Sequence, residues 1–268
     1  MTSRDFDRLL ADVPGFGQCQ SCGYAQAGSP ALCYRCASRT MEALAPLGER
    51  CAVCDLPYSA GESSCGNPVC RMEPDDRWFE WNYAIAMRSG ALETAISRYK
   101  YGGRRGWAAI FGRILVGFLD AHAALFAEIG LDLIVASPAY TGPGAKRAWD
   151  HIREVMVAAD REQGAPPRWQ FDLAEPPIIV KTGPTEPMVG KSAADRRANA
   201  QTALRDALSV TDRTRTRDLT VAVLDDVFTG GWTLREVARA LRRDGGATAV
   251  YGVTLSRQPY GRRLAVDV

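Results

Sequence analysis

Eight cysteines lie between Cys19 and Cys70, and the rest of the chain to residue 268 contains none. They fall into two sets of four: Cys19, Cys22, Cys33 and Cys36, then Cys51, Cys54, Cys65 and Cys70. In a Cys-x-x-Cys turn both thiolates can reach one metal ion at about 2.3 Å. Two such pairs complete a tetrahedral site, so the spacing predicts two four-cysteine metal centres. The second is less regular, because four residues separate its last two cysteines.

The predicted role of these centres is structural, with zinc as the metal. Residues 1–75 contain few large aliphatic side chains, so metal binding would supply much of the free energy that folds this segment. A redox dithiol needs only one Cys-x-x-Cys pair, and an iron–sulfur cluster is rarely built from two matched ribbons. The sequence leaves open whether each set of four forms its own site or the pairs interleave in a cross-braced arrangement.

A second candidate site lies where an apolar strand runs into two carboxylates and a glycine loop. Val221–Leu224 is followed by Asp225 and Asp226, and then by a Thr-Gly-Gly-Trp-Thr stretch at residues 229–233, before a predicted helix. In α/β proteins, ligands bind at the carboxyl ends of parallel strands. N–H groups of such a loop can hold a phosphate, while adjacent carboxylates can accept hydrogen bonds from vicinal ribose hydroxyls. The unit therefore fits a 5′-phosphorylated ribose.

Three other interpretations of this stretch are weaker. An apolar strand ending in Asp-Asp is also a Walker B pattern, and Gly190-Lys191-Ser192 is like the end of a P-loop, but Thr185 stands where a P-loop needs its first glycine. The acidic pair of a receiver domain is expected after the first strand, not near the end of the chain. A plain surface loop does not explain the Thr-Gly-Gly-x-Thr pattern.

Alternating strand-like and helix-like segments follow the cysteines. They predict an α/β domain over residues 76–268, after a cysteine module over residues 1–75. The predicted strands are 78–87, 131–136, 178–180, 219–224 and 249–255. The predicted helices are 91–101, 107–129, 146–162, 193–208 and 234–243. Residues 166–187 are rich in proline and glycine and are predicted to be a mobile excursion from the packed domain.

Composition and charge restrict the function classes. Hydrophobic residues make up 46% of the chain and charged residues 24%, which is typical of a globular protein and excludes a disordered or fibrous one. The net charge of +2 argues against a broad nucleic-acid surface. Residues 1–17 lack the apolar run of a signal peptide, and charges interrupt the apolar stretch 107–133. We therefore expect no membrane span and a cytoplasmic location.

The order of these motifs resembles that of the ComF family within the type I phosphoribosyltransferase superfamily. Residues 221–233 are similar to the superfamily loop that binds phosphoribosyl diphosphate (PRPP). The family's Lys-(Tyr/Phe)-x-Gly-Arg-Arg block is matched within Ile96–Arg105, and its apolar strand with a proline-containing loop by Leu133–Tyr140. A Thr-x-Pro…Ser-x-x-(Glu/Asp)-Arg-x-x-Asn block is matched by Thr185–Asn199. The resemblance covers most of residues 19–257.

This resemblance implies a type I phosphoribosyltransferase-like parallel sheet flanked by helices, preceded by a small zinc-ribbon module. It also implies transfer of the phosphoribosyl group from PRPP, bound with Mg²⁺, to a nitrogen acceptor that the sequence does not identify, with release of pyrophosphate. Asp225 and Asp226 would hold ribose hydroxyls or magnesium-bound waters. The 5′-phosphate would contact Thr229, Gly230, Gly231, Trp232 and Thr233, and the pyrophosphate Ser137, Lys100, Arg104, Arg105 and Arg147. A homodimer is expected from the resemblance alone.

The chain departs from the family pattern at two places. Trp232 stands where the family loop Thr-Thr-Gly-Ala-Thr has alanine. After Pro138, where the family often reads Arg-x-x-x-Arg-Gly-Phe-Asn-Gln, Arg147 and Trp149 match the second arginine and the aromatic residue, but the first arginine and the Asn-Gln pair are missing. Trp232 stands beside the pocket of the loop, and the second departure concerns the identity of the acceptor.

The alternative function is a non-catalytic PRPP-binding protein or a single-stranded-DNA-binding adaptor of a competence or DNA-uptake machinery. Zinc ribbons often contact nucleic acid or partner proteins, although these ribbons carry few basic or aromatic residues between their cysteines. A basic edge is predicted from Arg215, Arg217, Arg242, Arg243, Arg257, Arg262 and Arg263. His122 is interpreted as a surface or packing residue, and His151, although close to the loop after Pro138, is assigned no role.

Overall fold

The computed structural model describes residue 41 and residues 45–58, 61, 63–88, 90–145, 147–163, 165–185 and 192–259. The second set of cysteines lies within these ranges. The first predicted metal centre lies outside them, with Cys19, Cys22, Cys33 and Cys36, and so do Arg262 and Arg263 of the predicted basic edge.

Four parallel strands form the main sheet, in the order β1-β6-β5-β2. They are β1 (Asn82–Met87), β2 (Leu133–Ala136), β5 (Thr220–Phe228) and β6 (Ala249–Arg257). Strand β5 pairs with β6 along its whole length, but with β2 only as far as Leu224 opposite Ala136. The predicted α/β class with a parallel sheet flanked by helices is confirmed.

The helices and the remaining strands connect these four strands. The helices are α1 (Gly90–Tyr101), α2 (Ala108–Ala121), α3 (Ala123–Glu128), α4 (His151–Glu162), α5 (Ala193–Asn199) and α6 (Trp232–Arg239). Helix α5 continues in irregular helical turns to Ala207, and α6 continues to Asp244. Strands β3 (Ile179–Lys181) and β4 (Leu208–Val210) pair antiparallel in a separate two-stranded sheet.

Several element boundaries differ from the predicted ones. Strand β5 runs to Phe228 instead of ending at residue 224, so Asp225 and Asp226 lie within it, and β6 runs to Arg257 instead of residue 255. The predicted helix 107–129 is divided into α2 and α3.

Two further differences have a clear local cause. The predicted strand 78–87 begins at Asn82, because a helical turn precedes it and Trp78 then adopts a left-handed conformation with a φ of 70°. The predicted helix 146–162 begins at His151, because Asp150 caps it. One carboxylate oxygen of Asp150 accepts hydrogen bonds from the N–H groups of Ile152 and Arg153, each at 3.0 Å.

The segment that we predicted as an excursion returns to the main sheet. The N–H of Ile134 in β2 donates to the carbonyl of Gln170 at 2.8 Å, and the N–H of Asp172 donates to the carbonyl of Ile134 at 2.8 Å. Asp172 also accepts a hydrogen bond from the N–H of Ile178 at 2.7 Å. Residues 170–172 therefore extend the sheet beyond β2 and lead directly to β3.

The apolar residues of β5 face two hydrophobic cores, one on each side of the sheet. Ala222 and Leu224 face the core that contains α1, α2 and α4. Val221 and Val223 face the core that contains α6. A strand buried on both faces reads as a continuous apolar run, which is why residues 221–224 show no polar alternation.

The described part of the cysteine module packs against the α/β sheet. Cys51, Cys54 and Cys65 belong to the same hydrophobic cluster as Val221 and Val223. The N–H of Asn82 donates to the carbonyl of Val53 at 2.9 Å, and the N–H of Ala84 donates to the carboxylate of Asp55 at 3.0 Å. One backbone hydrogen bond and one bond to the Asp55 side chain thus attach residues 53–55 to β1. Within the described ranges, no helix combines the length and the apolar character that crossing a bilayer requires.

Candidate functional site

The carboxylates of β5 lie at a point where the neighbouring strand has ended. Strand β2 ends at Ala136, and the N–H of Ser137 makes the final contact by donating to the carbonyl of Leu224 at 2.8 Å. Asp225 and Asp226 continue β5 beside β6 alone. In α/β proteins ligands bind in a crevice at the carboxyl ends of the strands, and Asp225 and Asp226 lie at this position.

Lys100 and Asp226 form an ion pair in this crevice. The ammonium nitrogen of Lys100, near the end of α1, lies 2.5 Å from Oδ2 of Asp226. The side chain of Asp226 is 5% exposed and that of Lys100 is 19% exposed, so the pair is largely removed from solvent. Burial alone would lower the pKa of Lys100, but the charges of Asp226 and Asp225 raise it above its ordinary value. Lys100, which is predicted to be a pyrophosphate ligand, is thus paired with the second carboxylate of the acidic pair.

His151 also contacts Asp226, which the sequence analysis missed. Nε2 of His151 lies 3.3 Å from Oδ2 of Asp226, and Nη1 of Arg147 lies 2.8 Å from Nδ1 of the same ring. Burial lowers the pKa of His151, so the ring is neutral at pH 7. A neutral ring satisfies both contacts when Nε2–H donates to Asp226 and Nδ1 accepts from Arg147. The predicted Arg147 therefore reaches the acidic pair through His151.

The two adjacent carboxylates have opposite electrostatic environments. Burial and the neighbouring charge of Asp226 raise the pKa of Asp225 to about 7. Burial would also raise the pKa of Asp226, but Lys100 and His151 outweigh it and hold that pKa well below its usual range. Asp226 is thus a fixed, compensated anion, whereas Asp225 is half-buried and its charge is poorly compensated. Such a carboxylate gains most from a cation or from hydroxyl donors.

The glycine loop follows the acidic pair directly. Gly231 has a φ of 78°, and a Cβ at this position would lie 2.6 Å from the ring of Phe228. Glycine is therefore required here by both the backbone conformation and the space. Helix α6 begins at the next residue, so its first N–H groups face the loop. Because the first N–H groups of a helix lack partners within the helix, the start of α6 offers backbone donors a few residues after Asp225 and Asp226.

The bulky Trp232 packs into the protein. Its side chain is 6% exposed, and the guanidinium of Arg197 lies 5.6 Å from the centre of its ring. A Cβ on Gly230 would lie 3.1 Å from Cδ1 of the indole. The tryptophan that stands where the family pattern has alanine therefore forms a wall of the loop. Thr233 is half-buried in the first turn of α6.

The remaining predicted pyrophosphate ligands differ in their positions. Ser137 is 6% exposed at the end of β2. Arg105 pairs with Glu154 of α4, and its guanidinium lies 5.3 Å from the ring of Trp149. Arg104 is exposed in the turn that follows α1. Ser137 thus lies next to the crevice, whereas neither arginine contacts the acidic pair in the described structure.

A cavity of about 580 Å³ opens beside the loop that follows β2. Its walls come from residues 138–142, from the start of α4 and from β3. Trp149, Asp150 and Lys181 contribute side chains to it. The cavity is lined by the segment after Ser137 and not by Asp225 or Asp226, so it adjoins the acidic crevice without containing it.

The four described cysteines form a cluster that fits one metal ion. The sulfur atoms of Cys51, Cys54, Cys65 and Cys70 all lie within 4.8 Å of one another. Sulfurs bonded tetrahedrally to zinc at 2.3 Å would be about 3.8 Å apart, and those of Cys54 and Cys65 are 3.7 Å apart. The N–H of Val53 points at the sulfur of Cys51 at 3.4 Å. For this set, the arrangement is one site made of consecutive pairs, and it could hold a structural metal such as zinc.

The chain matches no protein-family model and no curated protein. Its function is therefore inferred from the residues at the edge of the sheet and from the cysteine cluster.

Proposed function

We propose that this protein binds PRPP with Mg²⁺ and transfers its phosphoribosyl group to a nitrogen acceptor, as the resemblance to the ComF family implies. The observation that carries the proposal is the continuity of three features along one strand and turn. A compensated carboxylate (Asp226), a poorly compensated carboxylate (Asp225) and a glycine loop that opens a helix follow each other at the carboxyl end of β5. A 5′-phosphorylated ribose needs both an anion site and hydroxyl acceptors, and this edge offers both.

In this reaction the nitrogen of the acceptor forms a bond to C1′ of the ribose while the bond from C1′ to the pyrophosphate oxygen breaks. The acceptor loses a proton and pyrophosphate leaves with the bonding electrons. The protein does not need to supply a nucleophile, because positioning and charge neutralisation lower the barrier. Magnesium prefers oxygen ligands such as those of Asp225 and Asp226, and when bound it would neutralise charge on the diphosphate.

The residues of this chain have distinct roles in the proposal. Asp225 accepts hydrogen bonds from the ribose hydroxyls, since its Oδ1 accepts from the N–H of Asp226 at 2.9 Å but no described salt bridge joins it to a cation. Asp226 is held in one orientation by Lys100 and His151 and keeps the end of β5 rigid. The backbone N–H groups of residues 229–233 bind the 5′-phosphate. Arg147, which reaches the acidic pair through His151, supplies positive charge that favours the departing pyrophosphate, whereas the charge of Lys100 is matched by Asp226.

The contacts of the arginines in the predicted basic edge argue against the adaptor function. Arg257 is fully buried, so its inclusion in an exposed edge was wrong. Arg215 pairs with Asp172, and Arg242 lies 3.5 Å from Glu80. Arg215 and Arg242 thus form ion pairs within the protein, while Arg217 and Arg243 are exposed. The paired and buried members weaken the case for a continuous surface that binds single-stranded DNA.

The proposal is tested by measuring pyrophosphate release from PRPP and Mg²⁺ with a panel of nitrogen acceptors, including ammonia, amines and nucleobases. We expect release with at least one acceptor, and loss of that release in Asp225→Asn. The control is Asp218→Asn, which removes an exposed carboxylate before the start of β5. Release that is equal in Asp225→Asn and the wild type would contradict the proposal. Binding of PRPP without release for any acceptor would contradict transfer and favour a PRPP-binding protein.

A further inference from the structure

Arg257 lies between the cysteine cluster and the glycine loop. It is the last residue of β6, and none of its side chain is exposed. On one side, its Nε donates to the carbonyl of Cys54 at 2.9 Å and its Nη2 donates to the sulfur of Cys54 at 3.1 Å. On the other side, its Nη1 donates to the carbonyls of Phe228 and Thr229 at 3.2 Å and 3.1 Å. One side chain therefore contacts a cysteine of the cluster and the first residues of the loop.

Because Arg257 is fully buried, its positive charge needs a negative group nearby. A guanidinium keeps its positive charge in proteins, and burying it without an anion is costly. Among its described contacts, the carbonyl oxygens are neutral, and Cys54 is the group that can carry a negative charge. Cysteine binds a metal as the thiolate. The buried cation is therefore matched when the cluster holds its metal, since four thiolates around Zn²⁺ retain a net negative charge.

The loop side of the contact bears on the conformation of the phosphate site. The guanidinium lies 4.8 Å from the centre of the Phe228 ring, as well as binding the carbonyl of that residue. The same ring fills the space beside Gly231, where a Cβ would lie 2.6 Å from it. The ring of Phe228 thus restricts the backbone conformation and the side chain allowed at residue 231. The contacts of Arg257 hold Phe228 in this position.

We propose that Arg257 couples the four-cysteine metal centre to the glycine loop, so that metal binding orders the loop that receives the phosphate. Arg257 is a positioning residue in this scheme and does not contact the ligand. Coupling of two sites is reciprocal, so a phosphate ligand in the loop would also tighten metal binding at Cys51, Cys54, Cys65 and Cys70. The identity of that ligand as PRPP rests on the proposed function, whereas the coupling between metal and loop does not.

The experiment is amide hydrogen exchange on the full chain, zinc-loaded and after treatment with a zinc chelator, in the absence of PRPP. Peptides covering residues 51–70 show whether the described cluster has lost its metal, and peptides covering α4 show whether the domain remains folded. We expect exchange in residues 228–233 to rise on the order of tenfold after chelation, within the usual range of coupling between sites. Faster exchange in 51–70 with unchanged exchange in 228–233 would overturn the proposal.

A variant of Arg257 distinguishes coupling between the metal centre and the glycine loop from a general loss of stability after chelation. Arg257→Lys keeps the charge but cannot bridge Cys54 and the loop with a planar fork. We expect it to raise exchange in 228–233 with zinc still bound, and chelation to add little further. Arg239→Lys is the control, because Arg239 is also buried but contacts Glu236 instead of the cluster. If chelation raises loop exchange in Arg257→Lys by the same factor as in the wild type, the two sites are independent and the proposal fails. Because no PRPP is used, failure of the proposed function leaves this result unaffected.

Discussion

Oδ2 of Asp226 accepts contacts from two cations or donors at once: Nζ of Lys100 at 2.5 Å and Nε2 of His151 at 3.3 Å. The adjacent Asp225 has no comparable partner in the described structure, and its pKa is raised to about 7. Two neighbouring carboxylates whose environments separate their pKa values are suited to two different tasks. Asp226 holds the end of β5 in place, and Asp225 is left to meet a ligand.

Replacing these two aspartates should affect the free energy of unfolding differently. Asp226→Asn leaves the largely buried charge of Lys100 without its carboxylate, which should lower the free energy of unfolding by roughly 3 kcal/mol. Asp225→Asn removes a like charge beside Asp226 and should leave the free energy of unfolding unchanged or slightly higher at pH 8. Urea unfolding of both variants measures the difference. Equal destabilisation of the two variants would contradict the assigned environments.

The pH dependence of stability should show the raised pKa of Asp225. Its pKa is about 7 in the folded protein against 3.8 ordinarily, so between these values the folded state binds more protons than the unfolded one. The contribution of Asp225 to stability is therefore full below about pH 4 and is lost as the pH rises to about 7.

The measurement is the difference in free energy of unfolding between the wild type and Asp225→Asn from pH 5 to pH 8. Asp226 and His151 are present in both proteins, so their own titration largely cancels. We expect the wild type to lose stability relative to the variant as the pH rises, with a plateau above the pKa of Asp225. A constant difference over this range would show that the pKa is not raised.

Alanine substitution in the glycine loop should have a larger effect on stability and PRPP binding at Gly231 than at Gly230. Gly231→Ala places a side chain in a left-handed conformation and against Phe228, which should cost about 1 to 2 kcal/mol and weaken binding of PRPP. Gly230→Ala meets the edge of Trp232 at 3.1 Å without a left-handed backbone, so its effect should be smaller. Thermal unfolding and calorimetric titration with PRPP test both variants. An equal effect of the two substitutions would argue against a loop conformation specific to Gly231.

The number of zinc ions bound per chain should equal the number of intact four-cysteine sets. We expect about two zinc ions per chain in the wild type and one in Cys51→Ser, because each four-cysteine set is predicted to hold one ion. Cys51→Ser should also destabilise the protein, since Cys51 lies in the core shared with β5. Ser64→Ala changes an exposed residue of the same segment and serves as the control. Metal analysis after gel filtration decides between these outcomes, and unchanged zinc in Cys51→Ser would contradict the assignment.

Local patterns in the sequence were sufficient for the elements of the site. The apolar run 221–224, the acidic pair and the glycine stretch are contiguous, so the succession of strand, acidic pair and helix could be predicted from one stretch. The bounds were less accurate, because β5 extends through the acidic pair to Phe228 and α6 begins at Trp232 instead of residue 234. The spacing of Cys51, Cys54, Cys65 and Cys70 likewise predicted a cluster that the fold brings together. In both cases the residues that act together are close along the chain.

Contacts between distant segments were harder to predict. His151 was missed because the helix was predicted to start at residue 146, whereas Asp150 caps it and places His151 in its first turn. An aspartate followed by an apolar period is a capping signal, and it could have indicated this start. Arg257 was assigned to an exposed edge because β6 was predicted to end at residue 255. No local signal in the sequence indicates that Arg257 hydrogen-bonds to Cys54, which lies about 200 residues earlier in the chain.

The most direct test of the central claim is a calorimetric titration of the zinc-loaded chain with PRPP in the presence of Mg²⁺. We expect saturable binding in the wild type and in Asp218→Asn. In Asp225→Asn, which leaves the pair of Lys100 and Asp226 intact, we expect affinity to fall at least tenfold, because the ribose hydroxyls lose a charged acceptor worth about 1.5 to 3 kcal/mol. No binding of PRPP by the folded wild type, or equal affinity in Asp225→Asn, would contradict the account.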